Sequence, residues 1–167
     1  MKSMMNNLPE EISNKVPSNI LFAGISGSHS YNLNLLESDT DYFIVYVLPT
    51  ENILSLFPNK DDLSFKSSSG EDVKAFEVGK FCKLLMKGNP NVVETLFLAE
   101  SCILKETNFW RVLLHSRNSF ISRDTLKQYL GYAKGQLCRL KNGVSLHSKG
   151  GKYNTKWAYH LIRVLND

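Results

Sequence analysis

A chain of 167 residues can bury one well-formed core with a helical appendage and is too short for two ordinary domains. With 43% hydrophobic and 22% charged residues it reads as globular, which excludes a disordered or fibrous polypeptide, and no apolar run approaches the ~20 residues that span a bilayer. The net charge of +4 permits a polyanionic partner without demanding one, although the basic residues gather between Arg111 and Arg163, where acids are few.

In chain order, Pro9 followed by Glu10 and Glu11 suits the first turn of a short helix with Ile12 and Val16 on its buried side. The Met1 to Val16 stretch is polar and acidic where a secretion signal would be basic and then apolar, so a cytoplasmic location with no membrane partner is expected. Ile20 to Ala23 reads as a buried strand running into the turn Gly24-Ile25-Ser26-Gly27-Ser28. A brief helix is expected from Ser30 to Leu36, then the strongest strand of the chain, Asp41 to Leu48, β-branched and aromatic almost throughout. A short helix from Glu51 to Phe57 and a polar loop from Pro58 to Gly70, with room for an edge strand, lead to a third strand at Asp72 to Phe76.

Val78, Phe81, Cys82, Leu85 and Met86 recur at helical spacing, and Gly88-Asn89-Pro90 stops that helix and opens another. Helices are expected at about 90–98, 106–118, 122–140 and 152–166, the last two separated by a Gly/Ser/Lys loop. The fold class is therefore α/β (α+β): a small mixed sheet with packed helices and a helical C-terminal segment. Residues 1–104 form the expected catalytic core and 105–167 the helical part. Cys82, Cys102 and Cys138 are odd in number and far apart, which points to buried thiols rather than disulfides or a metal site.

Chemistry concentrates at Gly27-Ser28 and, ten residues on, Asp39-Thr40-Asp41 at the mouth of the strongest strand. Residues two apart on an extended chain point to one face, so Asp39 and Asp41 can present two carboxylates to a hard cation such as Mg²⁺ or Mn²⁺. Two such cations suit the in-line displacement of phosphoryl transfer. Gly27 lets the backbone approach a phosphate, and Ser28 offers a hydroxyl and an amide, so the turn can cradle the triphosphate of an NTP.

These blocks carry a resemblance. The stretch GSHSYNLNLLESDTDYFIVYVLP resembles the GS-x-AYGL…SD-x-D-x-RGV signature of the DNA polymerase β nucleotidyltransferase superfamily, in its RNA repair pathway polymerase-β-like branch of bacterial and phage proteins. FEVGKFCKLLMKGNPNVVETLF is similar to that branch's E-L-x-K-F…L-L-x-x-G-N-P-x-x-x-E-x-L block, and KWAYHLIRVL to its K-x-A-x-H-x-x-R-x-L helix. Asn32 stands where the family has Gly, and Phe43-Ile44 where it has Arg-Gly. The family commonly continues past the position of Asp167, so the helical segment is expected to be truncated relative to it.

The resemblance implies a metal-dependent nucleotidyltransferase that moves a nucleoside monophosphate from an NTP to an acceptor hydroxyl, such as an RNA or tRNA end. AMP transfer to a protein or small molecule, and an inactive nucleotide- or RNA-binding module, are the alternatives. For a third carboxylate, catalytic and metal-binding, the family pattern favours Glu77, with Asp72 as rival. On the last helix Lys152, Lys156, His160 and Arg163 share one side. The resemblance carries nucleotide binding to Lys156, His160 and Arg163; a solvated cationic helix is the plainer alternative. Asn89 and Glu94 read as helix-start residues outside the catalytic set.

Overall fold

The structure is a computed structural model that describes residues 8–17, 19–34, 38–57, 60–141 and 155–166; within the last segment, side chains are described for 158–164. Among the described residues, five strands form one mixed sheet: β1 (Asn19–Ser26), β2 (Asp41–Val47), β3 (Asp62–Lys66), β4 (Asp72–Glu77) and β5 (Ile103–Glu106), in the order β3-β4-β2-β1-β5. The β2–β4 pair is parallel and the other three are antiparallel. The helices are α1 (Glu10–Lys15), α2 (Thr50–Ile53), α3 (Val78–Met86), α4 (Pro90–Val93), α5 (Asn108–His115), α6 (Arg123–Lys141) and α7 (Thr155–Asn166).

Strand alternation on β2 divides the core. Tyr42, Ile44 and Tyr46 join Val73 and Ala75 on one face, closed by Ile12 and Val16 from α1 and its C-terminal end. Phe43 and Val45 face the other way, onto Phe81 and Leu85 of α3, Val92 and Val93 of α4, and Trp110 of α5. Trp110 is fully buried and stacks on Phe22, with ring centroids 4.1 Å apart.

An irregularity between Ile20 and Phe22 decides which side of β1 meets which layer. Ile20 pairs with Tyr46, but Phe22 pairs with Val45, so the extra residue turns Phe22 onto the α3–α5 face while Ile20 stays on the α1 face. The same shift sets the strand's far end. Ser26 pairs with Asp41, and both take the parity of Phe22 and Phe43.

Several expectations change in detail. The brief helix at Ser30–Leu36 is instead a 3₁₀ turn, Gly27–Tyr31, and residues 35–37 lie outside the described set. The 90–98 helix is one α-turn followed by a 3₁₀ turn, Glu94–Phe97. The start of the 106–118 helix is the end of β5, which is short and exists through its pairing with β1. A division after residue 104 therefore cuts a strand, and Trp110 places α5 in the core that the first part builds. Lys152 and the 142–151 loop lie outside the described residues. No helix among the described residues is long and apolar enough to cross a membrane.

Candidate functional site

The antiparallel β1–β2 pair ends at Ser26 and Asp41, and the chain leaves β1 directly into the 3₁₀ turn. Gly27 opens that turn at φ +70, in the left-handed region that L side chains rarely adopt. A Cβ at this position would lie 3.0 Å from Asp41 Cγ and closer still to Oδ2. Gly27 is thus required twice over, by its dihedral and by the carboxylate resting on its Cα. The strand reading of the sequence and the Gly-Ser turn meet here: residues fourteen positions apart come into van der Waals contact because β2 returns in register along β1.

The turn is tied down locally. Ser30 Oγ donates to the Gly27 carbonyl at 2.8 Å, and the Leu33 amide donates to the Ser28 carbonyl at 3.0 Å. Asn32 closes the turn at φ 55. Asn can hold this place because it tolerates the left-handed conformation better than other side chains. His29 Nε2 lies 3.2 Å from the Ser38 carbonyl and so bridges the turn to the residue before Asp39. Ser28 is half-buried, Asp39 exposed and Asp41 half-buried, which leaves the mouth of the site open to solvent.

The two candidates for a third carboxylate fall at opposite ends of the sheet. In the parallel β2–β4 register Tyr42 pairs with Val73, so Asp72 is level with Asp41. Phe43 and Phe76, one and two alternations further on, face each other with centroids 5.4 Å apart, which puts Asp41 and Asp72 on that same face. Asp72 pairs with Lys66 of the edge strand at 3.2 Å, in the open.

Glu77 is level with Tyr46, five positions beyond Asp41 and roughly 16 Å along the strand at ~3.3 Å per residue. The structure does not bring it to the aspartate pair. Its buried carboxylate caps α3, accepting from the Gly79 amide at 2.5 Å and the Lys80 amide at 3.3 Å. Among the described residues no three His, Cys, Asp or Glu side chains converge into a metal-holding group.

The last helix reaches the end of the turn through Arg163. Arg163 is buried and pairs through Nη1 with Glu94 Oε1, while the Tyr31 hydroxyl donates to Glu94 Oε2. The guanidinium also lies over the Tyr31 ring, 4.4 Å from its centroid. Arg163 is thus held between the Glu94 carboxylate and the Tyr31 ring. His160 is half-buried beside Tyr159, and the Lys156 side chain lies outside the described residues. Tyr31 and Glu94 were passed over as site residues by sequence reasoning. Their signal was there, as the Tyr after Gly-Ser-x-x and the Glu of the Gly-Asn-Pro block, but nothing short of the fold shows that these blocks touch.

Residues 1–166 match the family described as "RNA repair pathway DNA polymerase beta family". The chain belongs to that family. The shared stretch covers all three sequence blocks that meet at Tyr31, Glu94 and Arg163. Over 119 residues, 66% of its length, this family member is 27% identical to an Enterobacteria phage T4 protein called "Uncharacterized 38.9 kDa protein in nrdC-mobD intergenic region", of which the match covers 35%. The chain thus spans about a third of that relative. A crystal structure of a nucleotidyltransferase-like protein from Exiguobacterium sibiricum superimposes over 94% of this chain and 54% of its own, at 15% identity and a TM-score of 0.42. Membership places the chain in a DNA polymerase β family, and its described residues have a mixed α+β fold.

Proposed function

We propose that the Gly27–Tyr31 turn and the Asp39/Asp41 pair form the NTP site of an enzyme that transfers a nucleoside monophosphate to an RNA or tRNA end. The observation that carries this reading is the Asp41 carboxylate lying against the Cα of Gly27. It sets an anionic group against a bare backbone turn, so that a hard cation held by the carboxylate would sit beside a phosphate cradled by the turn. The donor set fits a hard divalent cation, Mg²⁺ or Mn²⁺: carboxylate oxygens at Asp41 and Asp39, with Asp72 level with Asp41. When bound, such cations supply charge neutralisation at the phosphates and at the attacking and leaving oxygens.

In this reading Ser28 presents its amide and hydroxyl to the triphosphate. Gly27 keeps the approach free of a Cβ. The acceptor hydroxyl oxygen forms a bond to the α-phosphorus as the bond to the bridging oxygen breaks, pyrophosphate departs, and the hydroxyl proton passes to a carboxylate. Asp72 takes that third-carboxylate role in place of Glu77, since it shares the end and the face of the sheet with Asp41. The basic residues of the later segment, Lys156 and His160 among them, supply the RNA side.

Each α-labelled NTP, incubated with the protein, Mg²⁺ or Mn²⁺ and total tRNA, should give label on RNA that is lost in the Asp39→Asn/Asp41→Asn variant. Label on the protein itself would replace the RNA acceptor with AMP transfer to protein. No label with any acceptor or base would contradict the catalytic reading and favour a binding module.

A further inference from the structure

We propose that Tyr31, Glu94 and Arg163 form a latch that sets the position of the phosphate turn, with Arg163 acting as a positioning residue through Glu94 and Tyr31. The inference rests on the reading of Gly27–Tyr31 as the triphosphate turn. Tyr31 is the last residue of that turn and Gly27 the first. A 3₁₀ turn of five residues has poor hydrogen-bond geometry and little rigidity of its own, so an anchor at its end governs where its amides point.

Glu94 is well suited to be that anchor. One carboxylate oxygen accepts from the Tyr31 hydroxyl and the other from Arg163, so both are engaged. The side chains of Arg163 and Glu94 are 7% and 13% exposed, which protects the pair from solvent screening and makes it expensive to break. The guanidinium also lies over the Tyr31 ring. Glu94 begins the 3₁₀ turn that follows α4, and Arg163 sits on α7, so two elements remote in sequence converge on the end of one short turn.

A phosphate-binding Arg163 and a latching Arg163 differ in sign when Glu94 is neutralised. Release of the guanidinium in Glu94→Gln would strengthen NTP binding if Arg163 met the phosphates directly, lowering the KM for NTP. The latch predicts the reverse: a KM for NTP raised about fivefold or more in both Glu94→Gln and Tyr31→Phe, with the acceptor KM unchanged.

A second readout needs no activity. Hydrogen exchange at the Asn32 and Leu33 amides, which close the turn on the His29 and Ser28 carbonyls, should quicken about tenfold or more in Tyr31→Phe, while β1 and β2 amides keep their wild-type protection. Unchanged exchange in Tyr31→Phe, or a lowered KM in Glu94→Gln, overturns the latch. If Glu94→Gln does not fold, Tyr31→Phe decides by the same exchange criterion. A wild-type protein that turns over no NTP defeats the functional reading alone, since the exchange result still rules on the latch.

Discussion

Gly27 and Asp41 constrain each other: the glycine has no room for a side chain because the aspartate carboxylate occupies the space, and the carboxylate lies where it does because nothing projects from residue 27. Gly27→Ala should cost about 1–2 kcal/mol of stability through the left-handed dihedral and lower NTP turnover about a hundredfold by displacing the Asp41 carboxylate. Urea unfolding beside a turnover assay separates the two effects. Asp72 and Glu77 should behave oppositely. Glu77→Gln weakens a helix cap, costing about 1 kcal/mol with turnover close to wild type, whereas Asp72→Asn leaves stability nearly unchanged and slows the chemical step. The reverse pattern would restore Glu77 to the site. The Gly-Ser and D-x-D spacing was visible in the sequence because both lie on one hairpin-like pair. Which of Asp72 and Glu77 lies level with Asp41 was not, because that depends on the register of a parallel pair whose strands are separated by α2 and β3.

At the scale of elements, the irregularity in β1 has the widest consequence. It lets one strand feed Ile20 to the α1 face and Phe22 to the opposite face, and it fixes the face on which Ser26 and Asp41 emerge. Apolar runs such as Ile20 to Ala23 give no hint of it, since every residue is hydrophobic and alternation is unreadable. The long helix α6 and strand β2 were legible from periodicity and β-branched content, whereas β5 was hidden, as a four-residue strand made by its neighbour. Helix α1 is tied to the β3–β4 turn by Glu11, which accepts from the Ser68 amide and hydroxyl as well as from Lys15. The Lys15 and Ser68 hydrogen bonds lower the Glu11 carboxyl to about 2. A depressed folded-state value means stability that is present above the ordinary value of 4.5 and is lost as pH falls from there toward about 2. Glu11→Gln should therefore flatten the acid limb of the stability profile between those values, as followed by circular dichroism, with little change at pH 7 in its slope against pH.

For the whole molecule, the stacked Phe22 and Trp110 join the two parts that the sequence suggested separating at residue 104. Trp110→Ala should cost about 3–5 kcal/mol, and a chain ended after residue 104 should lose cooperative unfolding, because β5 is cut in half and the aromatic lid over Phe22 and Phe81 is gone. An independently folding 1–104 fragment would contradict this. The basic later segment has its own test: RNA affinity should fall steeply between low and moderate salt, and Lys156→Ala should flatten that dependence. The most direct test of the account as a whole is pyrophosphate release from an NTP with Mg²⁺ or Mn²⁺ and an RNA acceptor, compared between the wild-type protein and Asp41→Asn of matching circular dichroism. The site described here predicts release in the wild type and a loss of about a thousandfold in the variant; equal rates in the two would show that the carboxylate against Gly27 has no part in the chemistry.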